Sequence, residues 1–176
     1  DGLARFGNEL EKIDPDAREF ISETIRINNL GLIEPSESNR RIAERLHMTT
    51  EQWRAQIDQG ESKDQAVLDW ILELRKTYKT AMLSNIGRGS MKRRFSEEEL
   101  QKHFDAVIIS GDIGIAKPDP AIYYHAAEKL DAEPNECVFI DDREGYCTAA
   151  RELGMQAIFY QNLAQARADL KTVLAE

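Results

Sequence analysis

The sequence predicts an α/β fold, with a doubly wound parallel sheet in its C-terminal part and an all-helical region before it. Residues 79–160 alternate short apolar runs with helical stretches, whereas residues 14–78 show helical periodicity throughout. The apolar runs are continuous rather than alternating, which is typical of parallel strands covered on both faces. Strands that alternate with helices in this way form a doubly wound sheet with helices on both sides.

The sheet-forming part is expected to contain one strand in each apolar run, at 80–83, 106–109, 137–140 and 157–160. Helices are expected between these strands. Ser96 with Glu99 has the spacing of a capping box, Asp119-Pro120 is typical of a helix start, and Gly154 is typical of a helix end. A final amphipathic helix is expected over residues 163–175.

The helical part is expected to form a separate small domain. Asp14-Pro15 predicts a helix start, and Thr49 with Gln52 predicts a capping box that opens the helix containing Trp53. A later apolar stripe has helical spacing, namely Val67, Trp70, Ile71, Leu74 and Tyr78. The expected division is therefore an N-terminal segment, a helical domain and an α/β core, at residues 1–13, 14–78 and 79–176.

Size, charge and cysteine content narrow the class of protein. The 176 residues suit one core domain with a small insertion. A formal net charge of −9 disfavours nucleic-acid binding, which needs a basic surface. Cys137 and Cys147 fit neither a disulfide framework nor a metal-binding spacing, so both are expected as reduced thiols. With no apolar run as long as a membrane span and no visible signal peptide, a cytoplasmic protein of undetermined oligomeric state is expected.

Polar side chains follow three of the predicted strands. Ser84-Asn85 comes after the first strand, Lys117 lies between Ala116 and Pro118 further along the chain, and Asp141-Asp142 comes after the third strand. Open α/β sheets bind their ligands at the carboxyl ends of the strands. The sequence therefore predicts that a hydroxyl, a cation and a pair of carboxylates meet at one rim of the sheet.

Each of these groups has a ligand-binding and a structural interpretation. Two carboxylates about 4 Å apart repel by about 4 kcal/mol at an effective dielectric of 20, so Asp141-Asp142 favours a hard cation such as Mg2+. The alternative is that one of them caps the next helix and the other faces water. Lys117 is either a fixed charge for phosphate or an exposed surface lysine. Ser84 and Asn85 either bind phosphate oxygens or cap a helix.

Together the segments resemble the motifs of the haloacid dehalogenase-like (HAD) hydrolase superfamily, in the branch with a helical cap. Leu83-Ser84-Asn85 resembles the second motif, residues 116–123 resemble the third, and residues 138–154 resemble the fourth. The resemblance covers residues 79–160. It implies a Rossmann-like core, with the helices of residues 14–78 as the cap domain.

The resemblance also implies roles for these residues. In this family an aspartate attacks phosphorus or carbon, and water then hydrolyses the resulting ester. Ser84 would bind the transferring phosphoryl group with Asn85 beside it, and Lys117 would pair with the nucleophile and the phosphate. Asp142 would be a ligand of Mg2+, with Asp141 as a further ligand or next to one.

Two departures from the family pattern stand out. Tyr146 occupies a position where the family usually has Asp or Asn, which is expected to weaken support for the metal. The first motif, with the nucleophilic aspartate, is not visible. Asp1-Gly2 is interpreted either as the end of that motif, with Asp1 as general acid/base and the nucleophile two positions upstream, or as an ordinary polar terminus.

The missing motif leaves a gap in the predicted sheet. The family places its first strand in the sheet between the strands at 80–83 and 137–140. Without it, a slot about 5 Å wide on each side would leave backbone groups unpaired, at roughly 1–3 kcal/mol each. Residues 1–12 contain no apolar run to fill the slot, so a strand upstream of Asp1 is expected.

The function expected on this basis is a Mg2+-dependent phosphatase that hydrolyses a small phosphorylated metabolite through an aspartyl-phosphate intermediate. A haloacid dehalogenase that attacks carbon on the same fold is the first alternative. A non-catalytic member that uses the pocket for binding or regulation is the second, and it is motivated by Tyr146 and by the missing nucleophile. Nothing in residues 14–78 identifies the substrate.

Overall fold

The computed structural model describes residues 15–59 and 62–175. The first helices are α1 (Pro15–Asn29), α2 (Pro35–Arg45), α3 (Thr50–Gln59) and α4 (Gln65–Leu74). Then follow β1 (Ala81–Ser84), α5 (Glu97–His103), β2 (Ala106–Ile109), α6 (Ser110–Ile113), α7 (Pro120–Lys129), β3 (Val138–Asp141), α8 (Glu144–Glu152), β4 (Gln156–Phe159) and α9 (Leu163–Val173). Across the described ranges, none of the helices combines the length and apolar character that crossing a bilayer requires.

The strands form two parallel pairs. Strand β1 pairs with β2 from Ala81 opposite Ala106 to Ser84 opposite Ile109. Strand β3 pairs with β4 from Val138 to Asp141. Within the described residues, β1 and β3 are not hydrogen-bonded to each other. The strand expected between them falls outside the described residues and stays a prediction.

The paired strands β3 and β4 are covered on both faces, as the continuous apolar runs predict. Successive strand residues point to opposite faces. Phe139 packs with helices α7 and α8 through a cluster that contains Ile122 and Tyr123. Its neighbours Val138 and Ile140 pack on the other side, in a cluster with α9. The doubly wound α/β fold is therefore confirmed.

Helices α1 to α3 form their own apolar cluster. Ile21, Ile42, Ala43 and Trp53 are buried in it, each no more than 2% exposed. The Trp53 indole also donates a hydrogen bond of 3.1 Å to the side-chain carbonyl of Asn39. These three helices therefore bury apolar surface among themselves, apart from the sheet.

Helix α4 packs with the sheet, although it lies in the range expected to form the cap. Trp70 joins a cluster with Ile158 of β4 and Leu170 of α9. Just after α4, the Arg75 guanidinium pairs with Asp105, before β2, at 2.9 Å. We therefore propose that the cap ends before α4 and that α4 belongs to the α/β core.

Most local sequence signals match the structure. The four strands lie within one residue of their expected positions. Both capping boxes form, since Thr49 and Gln52 exchange hydrogen bonds of 2.8 and 3.2 Å and the Ser96 box is complete. Gly154 adopts a left-handed φ of +86° after α8, as a helix end requires.

The placement of α4 can be tested with two tryptophan variants. Trp70→Ala is expected to lower amide hydrogen-exchange protection in β4 and α9 more than in α1–α3, because its cavity opens next to the sheet. Trp53→Ala should do the reverse. Each substitution is expected to cost about 3–5 kcal/mol of unfolding free energy. Equal loss of protection in both regions from either variant would contradict the proposed boundary.

Candidate functional site

Lys117 lies at the carboxyl ends of β1 and β3 and is only 8% exposed. Its ammonium donates a hydrogen bond of 3.0 Å to the Leu83 carbonyl on β1. It also forms an ion pair of 2.5 Å with the Asp141 carboxylate on β3. The interpretation of Lys117 as an exposed surface lysine is therefore wrong. One cation contacts both strand ends, and two of its three N–H groups are occupied by these partners.

Asn85 holds the backbone of Lys117 at both of its hydrogen-bonding groups. The Lys117 N–H donates to Asn85 Oδ1 at 2.9 Å, and Asn85 Nδ2 donates to the Lys117 carbonyl at 2.8 Å. No described helix begins at Ser84 or Asn85. The Asn85 carboxamide therefore fixes the lysine, and its expected contact with substrate stays a prediction.

Two aromatic rings lie near the Lys117 ammonium. Lys117 Nζ lies 5.4 Å from the ring centroid of Phe139 and 5.1 Å from that of Tyr146, both within cation–π range. Tyr123 packs edge-on against Phe139 and donates its hydroxyl to the backbone carbonyl of Tyr146 at 3.0 Å. Burial, with the nearby Asp141 charge, raises the pKa of Tyr123 above its ordinary range, so this phenol remains a neutral donor.

The two adjacent acids have different environments. The Asp141 side chain is 10% exposed, and it accepts a hydrogen bond of 2.9 Å from the backbone N–H of Arg143 in addition to its ion pair. Asp142 is exposed, and no described residue pairs with its carboxylate. The structural interpretation is therefore correct in that Asp142 faces solvent, but neither acid caps α8, because Asp141 accepts its bond from Arg143, the residue before that helix.

These acids fit one kind of magnesium site. Mg2+ is commonly held by one or two carboxylates, while water and substrate phosphate complete its six positions. Asp142 offers a carboxylate without a described partner, and Asp141 retains lone pairs beyond its two hydrogen bonds. Among residues 15–59 and 62–175, no group of three or more His, Cys, Asp or Glu side chains converges. The described residues therefore suit an open site completed by substrate, not an all-protein cage.

Ser84 ends β1 at the same rim. No described residue forms a hydrogen bond with its hydroxyl. The loop that follows runs through Asn85, Ile86 and Gly87 before a short 3-10 turn at Ser90–Arg93. The Ser84 hydroxyl is thus available for an anionic ligand at this rim.

Three glycines allow close packing among the end of α1, helix α6 and that loop. A Cβ atom on Gly31, at the end of α1, would lie 2.2 Å from the carbonyl oxygen of Gly111. One on Gly87 would lie 2.4 Å from the Asn28 side chain, and one on Gly111 would lie 2.4 Å from the Arg88 backbone nitrogen. Side chains at these positions would force α1, α6 and the loop apart.

The structure brings together most of the predicted site residues. Lys117 contacts both Asp141 and Asn85, Ser84 ends strand β1 at the same rim, and Asp142 follows Asp141. Asp1 lies outside the described residues.

Sequence reasoning missed the Tyr123 hydroxyl, the Phe139 ring and the Leu83 carbonyl. Their apolar positions indicated only core packing. A hydrogen bond from a hydroxyl on one helix to the backbone of another leaves no pattern in a single sequence.

Two relatives are similar in sequence to part of this chain. D-ribitol-5-phosphate phosphatase from Bacteroides thetaiotaomicron is 32% identical over 113 residues, covering 61% of this chain and 55% of that protein. Bifunctional epoxide hydrolase 2 from Sus scrofa is 38% identical over 103 residues, covering 56% of this chain. The chain spans only 19% of the length of that hydrolase.

A similar solved structure is that of a HAD family enzyme from Bacteroides thetaiotaomicron, in complex with magnesium and inorganic phosphate. It is 27% identical, with a TM-score of 0.67, and the match covers 77% of this chain and 73% of that chain. Residues 3–154 match the sequence profile of the haloacid dehalogenase-like hydrolases. Since that match spans most of the chain, the chain belongs to the haloacid dehalogenase-like hydrolase family.

Proposed function

We propose that this protein is a Mg2+-dependent phosphatase that hydrolyses a small phosphorylated metabolite through an aspartyl-phosphate intermediate. One observation carries the proposal: the buried Lys117 ammonium is fixed at 2.5 Å from Asp141, directly before the exposed Asp142. A fixed cation beside a carboxylate that is free to bind metal suits a phosphate ester, whose charge needs both partners.

The relatives support phosphate as the substrate group. One is a D-ribitol-5-phosphate phosphatase, and the similar HAD family structure holds both magnesium and inorganic phosphate. The epoxide hydrolase is bifunctional, and this chain matches only a small part of it. We therefore propose a phosphorylated sugar or polyol as the substrate class.

The proposed reaction has two displacement steps. A carboxylate oxygen attacks phosphorus, the bond to the leaving alcohol breaks, and a general acid protonates that alcohol. Water then attacks phosphorus, the aspartyl–phosphorus bond breaks, and inorganic phosphate and the free carboxylate are released. Asp1 is the candidate for the general acid. Neither Asp1 nor the nucleophile lies among the described residues.

The described residues would bind and orient the phosphoryl group. The Ser84 hydroxyl would donate to one of its oxygens, and the third N–H of Lys117 would donate to another. Asp142 and Asp141 would hold Mg2+, which when bound would offset the negative charge of the phosphoryl oxygens. The two free cysteine thiols suit a reducing compartment, and we propose the cytoplasm.

The two alternative functions, a dehalogenase and a non-catalytic binding protein, can be distinguished from a phosphatase by the products released. A dehalogenase would release halide from 2-chloropropionate without a metal, since it attacks carbon. A non-catalytic member would turn over neither substrate. The exposed Asp142 favours the phosphatase, because attack on carbon has no use for a metal-binding carboxylate at this rim.

Phosphate release from a panel of phosphorylated polyols and sugars, including ribitol 5-phosphate, is the test of the proposal. Turnover with Mg2+ is expected, and EDTA is expected to abolish it because the carboxylates then have no cation to present to the phosphate. Excess Mg2+ should restore it. Halide release that is insensitive to EDTA, without phosphate release, would establish the dehalogenase instead.

Asp142→Asn tests the proposed metal site. Loss of the carboxylate charge is expected to weaken Mg2+ binding tenfold or more in calorimetric titration, an effect on the order of that seen when metal-supporting groups are removed. Asp131→Asn is the matched control, since the Asp131 side chain is 99% exposed and lies between α7 and β3, whereas the site lies at the carboxyl end of β3. Equal Mg2+ affinity in wild type and Asp142→Asn would rule out this carboxylate as a ligand.

A further inference from the structure

The hydroxyl of Tyr146 receives two hydrogen bonds at the rim. Asn85 Nδ2 donates to it at 3.3 Å, and the Arg143 guanidinium donates at 3.1 Å. A phenol oxygen accepts through its lone pairs and donates through its single O–H. With both acceptor sites taken, the group can form a further hydrogen bond only as a donor.

The Tyr146 proton has no acceptor among the described residues. Its two donors occupy the lone-pair side of the oxygen, so the O–H bond is directed away from Asn85 and Arg143. One of those donors carries a positive charge and draws electron density from the oxygen, which strengthens the phenol as a donor. The group is therefore prepared for an acceptor that is anionic.

The location of Tyr146 matches that of the proposed phosphate. Its ring lies 5.1 Å from the Lys117 ammonium, and its hydroxyl shares the Asn85 amide with the Lys117 carbonyl. The backbone of Tyr146 is held by the Tyr123 hydroxyl at 3.0 Å. The donor is thus fixed before a ligand arrives, as electrostatic preorganisation requires.

We propose that Tyr146 is a substrate-binding residue whose hydroxyl donates a hydrogen bond to a phosphoryl oxygen, beside Lys117 and Ser84. The inference rests on the proposed function. A neutral phenol is a poor ligand for Mg2+ compared with a carboxylate. We therefore assign Tyr146 to the phosphoryl group and not to the metal.

The test is calorimetric binding of inorganic phosphate to the full-length protein with saturating Mg2+. Tyr146→Phe removes only the hydroxyl, and it is expected to weaken phosphate binding about tenfold, because hydrogen bonds to charged groups are among the stronger ones. Affinity for Mg2+ alone should not change. Tyr124→Phe is the matched control, because Tyr124 is half exposed on α7 and lies outside the site.

A second measurement observes the wild-type side chain directly and needs the variant only to assign its resonance. In protein labelled with 3-fluorotyrosine, the 19F resonance that is missing from Tyr146→Phe is expected to shift when phosphate is added, whereas that of Tyr124 should not. Phosphate affinity in Tyr146→Phe equal to wild type, or a Tyr146 resonance that does not move on saturation, would overturn the assignment while leaving the phosphatase proposal in place. A wild-type protein that binds neither Mg2+ nor phosphate would overturn both.

Discussion

The rest of the site depends on the ion pair between Lys117 and Asp141. Burying an ammonium costs several kcal/mol of solvation unless partners replace the water. Here the replacements are a carboxylate at 2.5 Å, the Leu83 carbonyl at 3.0 Å and two aromatic rings. Because its partners belong to β1 and β3, which are not hydrogen-bonded to each other in the described residues, the lysine also fixes the distance between two strand ends.

Local signals made much of this arrangement predictable. Continuous apolar runs located the strands within one residue, since a buried parallel strand needs apolar side chains on both faces. Parallel strands present their carboxyl ends at one rim, so the meeting of Lys117 with Asp141 followed from their places after strands. The resemblance to a family added roles that those positions alone left open.

Other features depend on how distant segments approach, and no local signal carries them. The stripe containing Trp70 predicted a helix correctly, but its period did not reveal that the helix packs against β4 rather than the cap. Asn85 was expected either to bind phosphate or to cap a helix, and no local signal showed that its carboxamide holds the Lys117 backbone. Tyr146 was expected to weaken support for the metal, and its place in the sequence did not show that its ring and hydroxyl border Lys117 and Asn85.

A double-mutant cycle on the ion pair tests the central claim most directly. The unfolding free energies of wild type, Lys117→Met, Asp141→Asn and the double variant would be measured by denaturant titration. Each single variant leaves a buried charge without its partner and is expected to cost about 3–5 kcal/mol, while the double variant should cost clearly less than their sum. Additivity within about 0.5 kcal/mol would show that the two charges are independent, and would contradict the account.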